Sequence, residues 1–369
     1  AVTGVQTCAL PICVYARAVF TGKGETMSTV LRGALGATFL ALMTVASSAA
    51  DKVTIGIVNA VSDGTLFIAQ DKGYFKAEGI EAEFVAFDTG AKMVAPMGAG
   101  QLDVGGGAAS AGLYNAVDRG IRIKIVADKA TNVKGAPFQS FMVRKELVDK
   151  GEVKTLADMK GRKVAITGAG GSDASVLNEA MKSVGLKYSD VEKVYLGFPQ
   201  HAPAFQNGAI DGSITTEPTT TNIMRLGAAV VLTGNDAFYP NAQTATIMFS
   251  GDFAEKRRDV AVKFTKAYLR AARDFNDALV NGKLQGPGGE ELAAILAKYT
   301  VIKDVNVLRN MVMAVVNPDD AVNEYCIRMH LAFFKEVGDV TSAKVSVDQV
   351  VDQSFVAEAA KALGPYKKK

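Results

Sequence analysis

One short pattern occurs twice in this sequence and constrains the fold more than any other feature. The first copy contains Gly79-Ile80, an apolar run at 84–87, a helix-like stretch, and then Gly100-Gln-Leu-Asp103. The second contains Gly185-Leu186, an apolar run at 191–196, a helix-like stretch, and then Gly208-Ala-Ile-Asp211. Each copy indicates a helix end, a strand, a helix stopped by glycine, and another strand. Two such units predict two similar α/β lobes that face each other across a small-molecule site.

Residues 1–50 are set aside because they read as leader sequence rather than as part of the fold. Residues 1–26 are interpreted as a non-native or untranslated leader, with Met27 as the true start. Residues 27–50 are typical of a signal peptide: Arg32 is basic, 34–45 is apolar, and small residues precede Asp51. The apolar segment is shorter than the ~20 residues that span a bilayer. We therefore expect export to the periplasm, with an uncleaved N-terminal anchor as the alternative.

The bulk composition indicates a globular protein and names no partner. The chain has 369 residues and a net charge of +3, which gives no strong field for nucleic acid. Only Cys326 follows residue 50, so no internal disulfide is expected in the exported protein. The two histidines, His201 and His330, lie in no catalytic or metal-binding motif, so we expect neither a metal nor another cofactor.

The periodicity of the remaining sequence predicts alternating strands and helices followed by a helical C-terminal region. Predicted strands cover 53–58, 84–87, 103–106, 121–127, 138–143, 163–166, 191–196, 213–216, 228–233 and 246–249. A long helix is predicted over 260–279, with Asp252 as its cap, and further helices over 290–299, 305–315, 319–337 and 355–363. The domain prediction is lobe one at 51–138 and 247–369, and lobe two at 139–246.

Several segments resemble the periplasmic ligand-binding proteins of ABC importers for alkanesulfonates, taurine, nitrate and the thiamine pyrimidine precursor. The resemblance covers about Val53 to Gly364, and the segments that carry it are 66–80, 100–105, 156–165, 208–211, 217–218 and 350–355. It implies a type II periplasmic binding protein: two α/β lobes, a hinge of two crossing strands, and a helical C-terminal cap. It also implies a small-molecule ligand, ABC permease and ATPase partners, and a monomer that does not bind nucleic acid.

Ligands of open α/β sheets bind beyond the carboxyl ends of the strands, so the loops there supply the candidate site residues. In lobe one the candidates are Asn59, Asp63, Phe67, Thr89, Ala108 and Ser110. Asp63 before glycine is also ordinary turn chemistry, and Thr89 could cap the next helix instead. The small residues at 106–110 either let a ligand approach the backbone or let a strand and a helix pack tightly.

In lobe two the candidates are Gly170, Ser172, Phe198, His201, Thr216 and Glu217. The glycine-rich turn 168–172 opens a helix, whose free N–H groups favour an anion, but it lacks the lysine of a phosphate loop. Phe198 could stack on a ligand, and His201 either donates to it or belongs to a loop. Glu217 either binds an amine or ring N–H, or it holds the hinge. Asp103 and Asp211 are predicted to bond to turns.

Three function classes follow, and a solute-binding component of an ABC importer is the leading hypothesis. The alternatives are an enzyme of the pyrimidine-precursor type and a sensory binding module that works without a transporter. The enzyme is disfavoured because the sequence has no cysteine-rich motif and no Ser-His-Asp arrangement. The predicted loops carry no arginine and the chain has no tryptophan, which favours a small organic anion or a polar heterocycle as ligand.

Overall fold

The computed structural model describes residues 50–319 and 321–369, so the predicted leader and almost all of the signal peptide lie outside it. The strands of the described residues are, in chain order, β1 (Asp51–Ile57), β2 (Ile80–Ala86), β3 (Val104–Gly107), β4 (Ile123–Thr131), β5 (Gln139–Arg144), β6 (Lys163–Ile166), β7 (Glu192–Tyr195), β8 (Gly212–Thr216), β9 (Ala229–Gly234), β10 (Gln243–Ser250), β11 (Leu279–Val280) and β12 (Lys283–Leu284).

The helices of the same residues alternate with these strands and then dominate the C-terminal third. They are α1 (Gly64–Asp71), α2 (Tyr74–Ala77), α3 (Val94–Gly98), α4 (Ala111–Asp118), α5 (Lys145–Asp149), α6 (Ser172–Lys182), α7 (Phe198–Gln206), α8 (Thr219–Arg225), α9 (Gly251–Lys256), α10 (Arg258–Ala278), α11 (Gly289–Tyr299), α12 (Val305–Asn310), α13 (Glu324–Glu336), α14 (Val347–Val350) and α15 (Ser354–Leu363). Short 3-10 turns also precede α1 and α3.

Two five-stranded sheets with matching topology form the two lobes. Lobe one is built on the order β2-β1-β3-β10-β4, and lobe two on β7-β6-β8-β5-β9. In each sheet the fourth strand, β10 or β5, runs antiparallel to both of its neighbours. Each antiparallel strand enters just after the chain has crossed from the other lobe. The predicted pair of α/β lobes with two crossings is thus confirmed.

Buried amides join the two crossing segments. The Asn132 backbone N–H donates to the Ala242 carbonyl at 2.9 Å, and the Gln139 backbone N–H donates to Asn132 Oδ1 at 3.2 Å. The Gln139 side-chain oxygen accepts from Asn235 Nδ2 at 2.9 Å. These bonds satisfy polar groups that the lobes remove from water, so the crossings form one connected unit.

The C-terminal helices complete both lobes. The long helix α10 packs its apolar face on lobe one, where Phe264 lies against Phe75 and Phe249. Helix α13 contacts both lobes, because the Tyr114 hydroxyl of lobe one donates to the Ile327 carbonyl and Phe333 packs edge-on against Tyr188 of lobe two. Residues of both lobes therefore share one apolar cluster with α13.

Three predicted helix boundaries are wrong for local reasons. Ser250, not Asp252, caps the helix that follows β10, and that helix ends before α10 begins at Arg258. The helix predicted over 305–315 ends at Asn310, because the next residues are extended and the Met313 N–H bonds to the Gly282 carbonyl. The helix predicted over 319–337 begins at Glu324, where Asn323 accepts from the Cys326 N–H.

Two findings limit what the described residues can do. None of their helices is both long and apolar enough to cross a membrane. Nor do the described residues contain a group of three or more His, Cys, Asp and Glu side chains placed to hold a metal ion. Cys326 is buried and forms no disulfide within the described residues.

Candidate ligand-binding site between the lobes

A cavity of about 60 Å³ lies between the lobes, beyond the carboxyl ends of β1, β3, β6 and β8. This is where open α/β sheets bind ligands, so the cavity is the candidate site. Both lobes and both crossings contribute its lining: Val58, Ala60, Ser62, Thr89, Gly90, Gly107, Ala108, Phe138, Gln139, Thr167, Ser172, Asp173, Phe198, Thr216, Thr244 and Ala245.

Backbone forms much of the lobe-one wall, because two glycines approach each other closely. A Cβ on Gly107 would lie 2.5 Å from the Gly90 Cα, and a Cβ on Gly90 would lie 2.5 Å from the Ala108 nitrogen. Only glycine fits at these two positions. Thr89 precedes this contact, and its hydroxyl caps no helix, so the capping alternative for Thr89 is not realised.

A fully buried ion pair supports the lobe-one wall from behind. Lys129 Nζ lies 2.8 Å from Asp63 Oδ1, and both side chains are 0% exposed. The other Asp63 oxygen accepts from the Val58 and Ala60 N–H groups at 3.1 and 3.0 Å. Lys129 also donates to Ser62 Oγ at 3.0 Å. Since Ser62 Oγ accepts from the ammonium, its own proton is free to point into the cavity that it lines.

The lobe-two wall carries a buried carboxyl group at the start of α6. Asp173 accepts from the Thr167 N–H, and its second oxygen accepts from Thr167 Oγ1 at 3.0 Å. Burial raises the pKa of Asp173 to about 6, and the hydrogen bonds from Thr167 oppose that rise. The N-terminus of α6 therefore already has a carboxylate beside it, where the sequence analysis expected an anionic ligand.

Two hydroxyl groups complete this wall in different ways. Ser172 Oγ donates to the Thr244 carbonyl at 2.8 Å, so this side chain joins lobe two to the start of β10. Thr216 Oγ1 is buried and has no hydrogen-bond partner. A buried hydroxyl without a partner is costly, and Thr216 lines the cavity, so a ligand group there would satisfy it.

A wider groove of about 680 Å³ continues the cavity towards solvent. Val58, Ala60 and Phe198 line both spaces. Asn59 lines the groove with φ +56°, a left-handed conformation that asparagine tolerates. The groove is largely apolar; its remaining lining residues are Ala86, Phe87, Asp88, Pro199, Ala202, Pro218, Thr219, Asn222, Tyr299, Thr300, Val301 and Lys303.

His201 lies behind Phe198 and does not line either space. Its Nε2 bonds to the Leu196 carbonyl at 3.1 Å and its Nδ1 to Thr215 Oγ1 at 2.7 Å. Since a carbonyl only accepts, Nε2 carries the proton and Nδ1 accepts from the threonine hydroxyl. Burial lowers the pKa of His201 to about 4. The ring also packs edge-on against Phe198, so His201 positions that aromatic side chain.

The lobes touch each other on both sides of the cavity. The Val61 N–H of lobe one donates to the Glu217 carbonyl of lobe two at 3.1 Å. The Ala111 N–H donates to the Gly170 carbonyl at 2.8 Å, and a Cβ on Gly170 would lie 2.4 Å from that of Ala111. These contacts describe a closed arrangement in which the cavity is largely enclosed.

The structure divides the predicted site residues into two groups. Those that line the cavity or the groove are Asn59, Thr89, Ala108, Ser172, Phe198 and Thr216. The others lie outside both spaces and have structural contacts: Asp63, Phe67, Ser110, Gly170, His201 and Glu217. Ligand contact by the first group stays a prediction.

The second group is held by lobe packing and capping. Phe67 is fully buried and stacks on Tyr299 at 4.5 Å, because its helix face points into the lobe-one core. Ser110 caps α4 by accepting from the Leu113 N–H. Glu217 accepts from the Thr221 N–H and Oγ1, both at 3.0 Å, and burial raises its pKa to about 7. Two roles were considered for Glu217: binding a ligand N–H group, or holding the hinge. The structure shows its side chain hydrogen-bonded to Thr221 only, within lobe two.

Sequence reasoning missed five polar residues that line the cavity: Ser62, Gln139, Thr167, Asp173 and Thr244. Thr167 and Asp173 flank the glycine-rich turn, so attention to both ends of that turn would have found them. Gln139 and Thr244 lie on the crossing strands, and no sequence pattern around them indicates that they line a cavity. Asp103 and Asp211 accept from the backbone N–H groups of Thr54 in β1 and Lys163 in β6, so both bond to neighbouring strands and not to turns as predicted.

Two lobes of matched topology, joined by two crossings with a cavity between them, define the periplasmic binding protein fold. Solved structures share it: the periplasmic nitrate-binding protein NrtA of Synechocystis PCC 6803 superposes with a TM-score of 0.70 at 13% identity, over 85% of this chain and 89% of that one. The periplasmic aliphatic sulphonate binding protein SsuA of Escherichia coli gives 0.60 at 20% identity, over 83% and 93%. The sequence matches the NMT1/THI5-like family over residues 63–277, and the chain belongs to that family.

Curated relatives are similar over part of their length. The taurine-binding periplasmic protein of Escherichia coli (strain K12) is 25% identical over 241 residues, which cover 64% of this chain and 71% of the relative. A second protein of that strain, named for binding aliphatic sulfonates, is 28% identical over 173 residues. That alignment covers 43% of this chain and only 51% of the relative, about half its length.

Proposed function

We propose that this protein is the solute-binding component of an ABC importer, and that it captures a small polar molecule between its lobes. The observation that carries the proposal is the enclosed cavity lined by both lobes and by both crossings. A ligand in that position touches both halves at once, so it favours the closed arrangement by its differential affinity for it. The names of the taurine and nitrate relatives support the same class of function.

The location and partners follow from the same proposal. The protein acts in the periplasm as a monomer, after its signal peptide has been removed, and delivers ligand to a membrane permease driven by an ATPase. The candidate ligand contacts are Thr89, Ser172, Phe198 and Thr216.

A ligand panel tests the proposal directly. Thermal unfolding is measured against sulfonates, nitrate, aromatic acids, pyrimidines, amides and amidines, each at concentrations up to the millimolar range. A true ligand at one hundred times its Kd stabilises the folded state by ~2.7 kcal/mol. A hit that returns unchanged in mass after incubation supports binding without catalysis. Chemical conversion of a hit would favour the enzyme instead, and a flat panel would contradict the proposal.

A reconstituted importer tests the transport step. Where neighbouring genes encode a permease and an ATPase, that pair is placed in liposomes, and ATP hydrolysis is measured with the binding protein outside. We expect ligand-loaded protein to stimulate hydrolysis more than ligand-free protein does. Equal hydrolysis with and without ligand would favour a sensory role over import.

A further inference from the structure

The charge balance of the cavity differs between its two walls. Behind the lobe-one wall, the Lys129 ammonium is matched by Asp63 at 2.8 Å, so that pair contributes no net charge. On the lobe-two wall, Asp173 has hydrogen bonds from Thr167, but within the described residues it forms no ion pair with a Lys, Arg or His side chain. Among the described lining residues, Asp173 is the one that ionises near neutral pH.

The Asp173 carboxyl group also lies at the N-terminus of α6, which is the part of the cavity wall that would otherwise attract an anionic ligand. The N-terminus of α6 carries a partial positive charge, and the Asp173 carboxyl on its first turn already accepts from the Asp173 and Ala174 N–H groups. A second negative group in the same enclosed space would be repelled, because charges interact strongly where water is excluded. A ligand N–H group would instead be attracted.

The remaining polar groups of the cavity fit a ligand of that kind. Thr216 Oγ1 is buried without a partner and can accept an N–H or donate to a ligand oxygen. On the opposite wall, Ser62 Oγ accepts from Lys129, which leaves its proton for a ligand acceptor. The cavity thus offers an acceptor on lobe two and a donor on lobe one.

We propose that Asp173 sets the ligand class: the ligand presents an N–H donor, of the amide or amidine type, to Asp173 and carries no negative charge at that end. This inference rests on the proposed function, since it assigns the ligand of the same cavity. The apolar groove beyond Phe198 then accommodates the body of the ligand. Asp173 acts as a specificity-determining residue that rejects simple anions.

Shape-matched probes separate charge from size. Benzamidine, benzamide and benzoate share a ring and a planar head group, and differ in the charge and donors of that head group. Acetamidine, acetamide and acetate form a smaller series of the same design. Calorimetry with the full exported chain should give at least tenfold tighter binding for the amidine or amide than for the carboxylate of one series.

Two variants link that preference to the cavity. Asp173→Asn keeps the shape of the side chain and should reduce the amidine-over-carboxylate preference at least tenfold, whereas D149N, which removes an exposed carboxylate of lobe two, should leave it unchanged. Should Asp173→Asn fold poorly, Thr216→Val supplies a second readout. It removes a hydroxyl that has no partner, so the unfolding temperature should hold while amide binding weakens several-fold.

Each outcome decides the proposal. Preference for amide or amidine that falls in Asp173→Asn supports it. Tightest binding of a carboxylate overturns the ligand class but leaves the solute-binding function standing. Absence of binding by every amide and amidine also overturns it, while the broader ligand panel decides separately whether the protein binds solutes at all.

Discussion

Several ionisable side chains are buried, and burial changes their pKa values. It raises the pKa of Asp128 and Asp173 to about 6 and that of Glu217 to about 7. It lowers the pKa of His201 and His330 to about 4. Acids whose pKa is raised on folding make the protein less stable as the pH rises, whereas histidines whose pKa is lowered make it more stable. The two effects oppose each other, so single variants are needed to separate them.

Glu217→Gln isolates one of these contributions. Between about pH 4.5 and 7, Glu217 is protonated in the folded state and ionised in the unfolded state, so stability falls as the pH rises through that window. Glutamine removes this loss. We expect the variant to gain stability relative to the wild type from pH 4.5 to 7, by up to about 3 kcal/mol at ~1.4 kcal/mol per pKa unit.

The measurement is chemical denaturation at several pH values, with E192Q, an exposed glutamate of β7, as control. The control should change the pH profile by less than about 0.5 kcal/mol, as exposed substitutions generally do. Parallel profiles for Glu217→Gln and the wild type would show that Glu217 is ionised in the folded state, contrary to the expectation.

Lys129→Met tests the ion pair behind the cavity wall. Methionine keeps an unbranched apolar side chain, one atom shorter than lysine, and leaves the Asp63 carboxylate buried without its counter-ion. Removing one partner of a buried pair typically costs about 3–5 kcal/mol. The matched change Lys92→Met breaks an exposed pair with Asp88 and should cost under about 1 kcal/mol. Chemical denaturation measures the free energy of unfolding of both variants. Equal losses in Lys129→Met and Lys92→Met would mean that the buried pair stabilises the protein no more than the exposed pair does.

At the level of single elements, cap chemistry decides where the helices after β10 begin. Ser250 Oγ accepts from the Phe253 N–H at 3.3 Å and starts α9, although Asp252 is an equally good capping residue by type. Asp252 instead lies inside the first turn and pairs with Arg122 and Lys256 on the surface. The sequence is compatible with a helix cap at either Ser250 or Asp252. Because β10 ends at Ser250, that residue becomes the N-cap.

Ser250→Ala and Asp252→Ala test which of the two residues caps α9. Loss of the Ser250 cap should cost about 1 kcal/mol, the usual value for an N-cap serine. Loss of Asp252 should cost less, since exposed ion pairs contribute little. Equilibrium denaturation of both variants measures the difference, and a larger loss for Asp252→Ala would contradict the observed cap.

For the whole molecule, the contact between Ala111 and Gly170 is the place to test closure of the lobes. The Ala111 N–H donates to the Gly170 carbonyl at 2.8 Å, Ala111 is buried, and a Cβ added at Gly170 would lie 2.4 Å from the Ala111 Cβ, so the two segments pack closely. Ala111→Leu should therefore hold the lobes apart, increase the radius of gyration in solution scattering, and weaken ligand binding at least tenfold.

Gly112→Ala is its matched control. Gly112 is the next residue of the same helix, is exposed, and a Cβ there would meet only Ser110 Oγ at 3.6 Å. That variant should scatter and bind like the wild type. Compact scattering and full affinity in Ala111→Leu would mean that the closed arrangement does not depend on this contact.

The sequence by itself determined the alternation of helices with the ten strands of the two sheets, because apolar periodicity and glycine stops act locally. The repeat at Asp103 and Asp211 predicted two equivalent lobes, and the loops after the strands pointed to the correct edge of each sheet. Thr89, Ser172, Phe198 and Thr216 could be placed near the cavity on that ground alone.

Only the tertiary structure decided which side chains face the cavity and how their charges balance. Phe67 and Glu217 follow strands as the lining residues do, yet they are directed into packing and internal hydrogen bonds. Gln139 and Thr244 reach the cavity because the chain crosses between lobes there, a contact between residues far apart in sequence. Burial and pairing depend on all neighbours at once, which is why no local pattern could assign Asp173 its place.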